Sequence, residues 1–340
     1  MPTATASFAL RLLEQVGGDG VVLSPASVEG ALTALRPGVT GAARAALDTV
    51  PEPPRRKVDD DGVVLQFAQA LWLDERRELL AKLGIDVRPL DFGDPAAPER
   101  VNAWVAEQTR NMIPRIVDRF DADEVFALAD AAYFDGAWTE PFDPAQTQPR
   151  PFTRPDGSTV EVPTMHAEGS FEYFDDDDLQ AVRLPYGNQG ELCFVAVVAR
   201  DGLEPPRIGD WDALQTSHRT GSIAVPRFSA QSSLDLADTL KALGLGPAFD
   251  PGPDFDGLFS GPEPKALGRV LHRARVDVDE QGTRAAAVTV VTAIATAYRA
   301  ETPFELRLDR PFLWAVEDRR TGTLLFLGIV TDPSRTEEST

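Results

Sequence analysis

Residues 285–297 have the sequence AAAVTVVTAIATA, which contains no charge, no proline and no glycine. Small side chains come first and β-branched ones follow, a composition that favours a β-strand and that aggregates when exposed. Polar residues flank the stretch, Glu280-Gln281-Gly282 before it and Arg299 and Glu301 after it. Two interpretations are open at this point: an ordinary buried strand, or a loop whose sequence is that of a strand that forms later.

The composition limits the classes of function. The chain has 340 residues, with 33 Lys and Arg against 54 Asp and Glu, and a net charge of −21. Such acidity argues against a nucleic-acid partner and against an anionic membrane surface. The 43% of hydrophobic residues is enough for a core. No apolar stretch approaches the length of a membrane helix, and no signal peptide is visible, so the compartment stays open between cytoplasmic and secreted.

Residues that could carry metal or catalytic chemistry are scarce. The single cysteine, Cys193, excludes an internal disulfide framework and lies in an apolar run where an inert buried thiol is expected. The three histidines have no partner at metal-ligand spacing: His166, His218 and His272. Neither a nucleophile-elbow motif nor a nucleotide-binding motif occurs. We therefore expect no cofactor, no metal and no enzymatic activity.

Helical patterns dominate early and strand patterns late, which indicates an α+β chain rather than regular βαβ winding. Apolar spacing predicts helices over 3–16, 26–36, with Ser24 as the cap, 98–118 and 233–243. Alternating patterns predict most of the strands after residue 150, at 158–163, 179–185, 191–199, 221–229, 270–278, 304–308, 311–316 and 323–330.

The blocks around the opening stretch point to one family. Residues 278–287 have the sequence VDEQGTRAAA, preceded by His272-Arg273-Ala274 and followed by Arg310-Pro311-Phe312-Leu313-Trp314. Earlier blocks keep the same order, at 23–28, 101–109, 133–138, 225–228 and 235–244, and a closing block spans 321–333. Together they resemble the serpin family of protease inhibitors over roughly residues 8–333, with 278–287 similar to the hinge of its reactive loop.

The resemblance implies a fold and a mechanism. We expect one domain over 1–340 with three β-sheets, eight to nine helices and an exposed reactive loop at about 282–303. The segment 51–64 is shorter than the family usually has, so a compact member of the prokaryotic kind is expected. The implied activity is suicide inhibition by a metastable fold: a protease attacks the loop, which then inserts into the large sheet A and holds the acyl-enzyme.

Family spacing places the reactive bond about 14 residues after Gly282, between Thr296 and Ala297. Small residues there favour a subtilisin-like or elastase-like target, whereas a cut after Tyr298 or Arg299 would select chymotrypsin-like or trypsin-like proteases. The hinge residues implied by the match are small or carry the family's pattern: Glu280, Gly282, Thr283, Ala285, Ala286 and Ala287. Arg284 departs from the acidic residue common there, but strand alternation points it away from the core.

The family's shutter under sheet A uses Ser, Asn and His. Ser24, Ser27 and His272 match it, whereas Gly20 and Asp130 each replace an asparagine; Trp138 belongs to the neighbouring breach. A carboxylate at Asp130 would favour a protonated histidine, so we hypothesise that sheet opening is pH-sensitive. The alternative is that His272 is an ordinary core residue.

Three functions remain in competition. The first is a monomeric inhibitor that traps a serine protease. The second is a non-inhibitory serpin-like binding or chaperone protein, whose usual marks in the hinge, prolines or bulky charges, are absent except for Arg284. The third is a hydrolase on an unrelated fold, which no motif supports.

Overall fold

The computed structural model describes residues 4–18, 20–54, 60–261, 265–283 and 302–335. Within these ranges the α-helical segments are α1 (Ala4–Val16), α2 (Pro25–Ala34), α3 (Gly41–Leu47), α4 (Ala97–Gln108), α5 (Ala237–Leu240) and α6 (Gly246–Phe249).

The strands of the described residues are, in chain order, β1 (Val22–Leu23), β2 (Val63–Asp74), β3 (Asp86–Leu90), β4 (Phe126–Ala137), β5 (Gln148–Thr153), β6 (Thr159–Asp175), β7 (Leu179–Tyr186), β8 (Leu192–Ala199), β9 (Ser217–Pro226), β10 (Phe228–Asp235), β11 (Arg269–Val278), β12 (Gly282–Thr283), β13 (Phe304–Arg307), β14 (Phe312–Asp318) and β15 (Thr323–Val330).

Hydrogen bonding organises these strands into two sheets. The nine-stranded sheet has the order β1-β15-β14-β8-β7-β6-β9-β13, with β5 paired to β6. The six-stranded sheet has the order β10-β11-β4-β2-β3, with β12 paired to β4. The strands β8, β14 and β15 are buried along almost their whole length, which explains their continuous apolar sequences.

Helices cover both faces of the six-stranded sheet. Successive side chains of a strand point to opposite faces. On β2, Trp72 packs edge-on against Trp104 of α4 with ring centroids 5.8 Å apart, while Leu71 and Leu73 belong to the core that contains the apolar residues of α2. The sheet is therefore held between α4 on one face and α2 on the other.

The central strand β4 has different neighbours along its length. Arg269–Arg275 of β11 run parallel to Ala127–Tyr133 of β4. Beyond that point β11 no longer pairs with β4, and β12 pairs with it instead, antiparallel, at Gly136 and Ala137. The other edge of β4 is occupied by β2 up to Gly136. Consequently β12 lies on the edge of β4 that faces β11.

Two predicted helices have different bounds. The helix predicted over 98–118 ends at Gln108, because Arg110 and Asn111 adopt positive φ angles of 53° and 61°, and Pro114 follows. The helix predicted over 233–243 begins only at Ala237, since β10 continues to Asp235.

Ser24 stands at the N-cap position of α2, as predicted, but its side chain makes no capping hydrogen bond. Its hydroxyl donates instead to the backbone carbonyl of Leu325 on β15, at 2.7 Å. The residue therefore joins α2 to the nine-stranded sheet rather than closing the helix.

The α+β class is confirmed, but the predicted count of three sheets and eight to nine helices is not. The long strand β6 pairs with β9 at 164–173 and with β7 at 172–175. Because one strand serves both neighbours, groups of strands that could count as separate sheets form one continuous nine-stranded sheet.

Candidate functional site: the hinge and the shutter cluster

The hinge, residues 279–283, reverses the chain direction after β11. The Asp279 N–H donates to the Gly282 carbonyl at 2.8 Å, and the Gly282 N–H donates back at 3.2 Å. Gly282 has a φ of 138°, and a Cβ atom there would lie 2.1 Å from the carbonyl oxygen of Gly136. Only glycine allows the hinge to approach β4 this closely.

Glu280 is nearly buried within the hinge, and its carboxylate has two partners. Arg227 donates to it through Nε at 2.7 Å and also through Nη2, and the Thr147 hydroxyl donates to the same oxygen. Burial alone would raise the pKa of Glu280, but these hydrogen bonds outweigh it and hold the pKa below its usual value. The hinge is thus anchored to the start of β10 by an ion pair.

Trp138, at the end of β4, holds the other side of the hinge. Its indole N–H donates to the Asp279 carbonyl at 2.8 Å, and its backbone N–H donates to the Gln281 carbonyl at 3.0 Å. Four residues on, the Phe142 N–H donates to the Glu280 carbonyl at 2.9 Å. Three consecutive hinge carbonyls therefore have donors from one segment of the chain.

Tyr186 completes this environment, although no motif in the sequence pointed to it. Its hydroxyl lies 2.9 Å from the Thr283 hydroxyl, and its ring stacks on Trp138 with centroids 4.5 Å apart and planes 9° from parallel. Burial raises the pKa of Tyr186 well above its usual value, so the phenol stays neutral. The only available signal was its place at the end of an alternating strand pattern.

The shutter cluster consists of Ser24, Ser27, Asp130 and His272. It lies at the seam where β4 and β11 pair directly, and the hinge lies at the end of this seam, beyond the last pair of β4 and β11. His272 faces Asp130 across the parallel pair, and both side chains are fully buried. The imidazole Nδ1 lies 2.7 Å from Oδ2 of Asp130, and the Ser27 hydroxyl donates to Oδ1 of the same carboxylate. The predicted residues are therefore brought together.

The protonation of His272 follows from its second nitrogen. The backbone N–H of Ser24 donates to Nε2 at 3.0 Å, so Nε2 is an acceptor and carries no proton. Nδ1 then carries the proton and donates it to Asp130. In this arrangement the ring is neutral. A second proton on Nε2 would place two N–H donors, those of the ring and of Ser24, against each other, and the hydrogen bond from Ser24 would be lost.

Other predicted site residues lie elsewhere. Gly20 is exposed with a φ of 71°, and no atom lies within 4 Å of the position a Cβ would take. The predictions for Arg284 and for residues further along the reactive loop concern residues outside the described ranges: Ala285, Ala286, Ala287, Thr296 and Ala297.

The structure also places the two other histidines and the cysteine, and it gives the lengths of the described helices. Within the ranges that the structure describes, no group of three or more His, Cys, Asp or Glu side chains could hold a metal ion. The other histidines each approach one carboxylate, His166 near Glu168 at 3.6 Å and His218 near Glu172 at 3.9 Å. Cys193 is buried, and burial raises its pKa, so it remains a thiol. No described helix is long and apolar enough to cross a membrane.

Comparison with known proteins gives consistent results. The family model described as Serpin (serine protease inhibitor) matches residues 3–333. An uncharacterized serpin-like protein of Thermococcus kodakarensis is 32% identical over 373 residues, covering 96% of this chain and 84% of that protein.

Solved structures show the same fold at lower identity. The thermophilic serpin tengpin in its native state has a TM-score of 0.84 at 23% identity, over 97% of this chain and 93% of that one. Human thyroxine-binding globulin in complex with thyroxine has a TM-score of 0.81 at 22% identity, over 98% of both chains.

Proposed function

Because this chain belongs to the serpin family, whose members are generally protease inhibitors rather than enzymes, we propose that it inhibits a serine-type protease as a suicide substrate. The protease serine attacks the carbonyl carbon of Thr296, and the amine of Ala297 leaves with a proton. The acyl-enzyme is then attached to Thr296. Residues 283–296 add to the six-stranded sheet as a new strand, which carries the acyl-enzyme to the far end and distorts its active site before water can hydrolyse the ester.

The pairing of β12 with β4 is the observation that carries this proposal. Gly282 and Thr283 pair antiparallel with β4 on the edge that faces β11. A strand that continues from Thr283 in this direction would run between β4 and β11. The hinge geometry therefore matches the first step of the insertion that the proposed mechanism requires.

The sequence after the hinge is compatible with a full strand. No proline occurs between 283 and 302, so every backbone N–H in the segment can join a ladder. About 14 residues that gain ladder hydrogen bonds, at about 1 kcal/mol each, give on the order of 10 kcal/mol before side-chain burial. That energy is available to deform the protease.

Insertion requires β4 and β11 to separate where they now pair directly, between Arg269 and Arg275 of β11. The shutter cluster spans this seam through His272 and Asp130. We therefore assign Ser24, Ser27, Asp130 and His272 the control of sheet opening, and propose that the control depends on pH.

The small residues beside the proposed reactive bond favour a subtilisin-like or elastase-like target. Incubation with subtilisin, elastase, chymotrypsin and trypsin, followed by denaturing gels and mass spectrometry, tests both the activity and the bond. We expect a complex that survives denaturation and a released C-terminal peptide that begins at Ala297. We also expect the inhibitor to act as a monomer, which light scattering checks.

The control is Thr283→Arg. Thr283 is fully buried in the sheet, so a large charged side chain there blocks insertion without altering the reactive bond. This variant should be cleaved at the same bond without forming a complex. If the unmodified chain behaves in the same way, and its thermal stability does not rise after cleavage, the inhibitory proposal is wrong and a non-inhibitory binding role takes its place.

A further inference from the structure

The hinge residue Gly282 and the first residue of the inserting segment, Thr283, already belong to the six-stranded sheet in the uncleaved chain. Gly282 lies opposite Ala137 and Thr283 lies opposite Gly136. The reversal between Asp279 and Gly282 that brings them there is closed by two backbone hydrogen bonds. The turn and the first pairs of a new strand therefore exist before any protease acts.

One side-chain bond holds the end of this short strand. Thr283 is fully buried, and its hydroxyl bonds to the hydroxyl of Tyr186, which is also fully buried. Tyr186 itself is fixed by stacking on Trp138 and by an edge contact with Phe134, whose ring centroid lies 5.0 Å away. The position of the phenol oxygen is thus set by the core and not by the hinge.

A strand is slow to begin and quick to extend, because the entropy of closing the chain must be overcome before the first pairs contribute. Without a partner in the sheet, the buried Thr283 hydroxyl would be left unsatisfied, which favours its withdrawal into water. The bond to Tyr186 therefore affects whether insertion starts from formed pairs or from a free loop.

We infer that Tyr186 is a positioning residue for loop insertion: its hydroxyl keeps Thr283 in the sheet, so that insertion begins from a strand already started. This inference rests on the proposed function, because insertion is the step it affects. In a suicide inhibitor, insertion competes with hydrolysis of the acyl-enzyme. Slower insertion releases more cleaved inhibitor for each protease held.

The test measures how many inhibitor molecules are consumed for each protease held, together with the rate of first cleavage. Tyr186→Phe and Thr283→Val each remove one hydroxyl and leave the other buried without a partner. We expect each to raise the excess consumed over one inhibitor per protease about fivefold, the equivalent of one hydrogen bond, with the cleavage rate unchanged. The double variant Tyr186→Phe/Thr283→Val removes both hydroxyls and should return to within about twofold of the unmodified chain.

A matched control separates position from stability. Tyr173 is also a buried tyrosine, and its hydroxyl accepts from the Gln180 side chain at 2.6 Å, away from the hinge. Tyr173→Phe should leave the number consumed unchanged. If Tyr173→Phe has the same effect as Tyr186→Phe, or if the effects of Tyr186→Phe and Thr283→Val simply add, the inference is wrong.

A protease-free measurement distinguishes this inference from the proposed function. Synthetic peptides with the sequences of residues 283–296 and 285–296 are annealed to the intact protein, and the gain in thermal stability is followed in time. In the unmodified chain, Thr283 of the protein itself occupies the place opposite Gly136 that the first residue of the longer peptide would take. Both peptides should therefore anneal at equal rates. In Tyr186→Phe the longer peptide should anneal several-fold faster. A faster longer peptide with the unmodified chain would overturn the inference, whatever the protease assays show.

Discussion

The hinge and the shutter cluster lie on the same seam between β4 and β11, yet different chemistry holds each of them. At the hinge, neutral donors from Trp138, Phe142 and Tyr186 bond to the backbone and to Thr283, and a charged donor, the partly exposed Arg227, bonds to Glu280. At the shutter cluster, a histidine and a carboxylate bond each other in complete burial. The difference indicates that the hinge keeps its bonds as long as Glu280 stays ionised, which its lowered pKa favours, whereas the shutter cluster depends on where a single proton lies.

The largest effect is expected from Gly282→Ala, which tests whether the hinge must lie against β4. The added Cβ would overlap the Gly136 carbonyl, at a cost of about 3 kcal/mol or about 100-fold in the population of the docked hinge. Complex formation with a protease should fall accordingly, as measured on denaturing gels. Gly20→Ala is the control, since Gly20 also has a positive φ but open space around it. Equal losses in both variants would contradict the role given to the hinge.

The second effect concerns Glu29 on α2, which must be separated from any pH response of the shutter cluster. Burial raises its pKa to about 9, and neither carboxylate oxygen has a hydrogen-bond partner among the residues that the structure describes. The folded chain therefore binds a proton that the unfolded chain releases above its ordinary pKa. Stability should fall between about pH 5 and pH 9, by up to about 1.4 kcal/mol per pH unit.

Glu29→Gln should remove this slope in denaturant unfolding measured across that range, whereas Glu99→Gln, on the exposed side of α4, should retain it. An unchanged slope in Glu29→Gln would mean that Glu29 is ionised in the folded chain.

A smaller effect is expected from Asp130→Asn, which tests the pH dependence of the shutter cluster itself. Acid that protonates Nε2 of His272 breaks the bond from the Ser24 N–H, so spontaneous loop insertion should accelerate at low pH. The Asp130 carboxylate favours the charged ring, and an asparagine does not. At a given acidic pH, spontaneous insertion should therefore accelerate less in the variant than in the unmodified chain. The rate of spontaneous insertion, followed by the loss of inhibitory activity on incubation, gives the profile; identical profiles would refute pH control.

The smallest effect is expected from Trp138→Phe at the hinge. The variant loses the indole donor to the Asp279 carbonyl, while the backbone donors from residues 138 and 142 remain. We expect a loss of about 1 kcal/mol in thermal unfolding that is the same at pH 5 and pH 8. A pH-dependent loss would contradict the distinction between the two regions.

The sequence predicted some residues of each region and missed others. The composition of 285–297 and the blocks around it led to the prediction of a hinge, and family positions predicted that His272 and Asp130 would meet. The tautomer of His272 could not be predicted, since it depends on a backbone N–H 248 residues away in the chain. Tyr186 was missed for a similar reason, because nothing local to β7 indicates that its hydroxyl faces Thr283.

Local patterns also misplaced some element ends. The apolar spacing predicted a helix to residue 118, but α4 ends at Gln108. After that end, the Thr109 hydroxyl accepts from the Ile113 N–H. The Asn102 side chain accepts from the N–H groups of Ile116 and Val117. These bonds give the backbone partners outside a helix. Side-chain competition of this kind is invisible to periodicity.

The bond from Ser24 to the Leu325 carbonyl joins residues 301 positions apart, which has a consequence for biosynthesis. The ribosome synthesises the chain from its N-terminus. The hydrogen bond of Ser24 therefore cannot form until almost all of the protein has been made. Residues 283–296 are made before β15 is, at a time when this bond does not yet join α2 to the nine-stranded sheet. The order of synthesis therefore makes the contact between α2 and β15 one of the last long-range contacts that the chain can form.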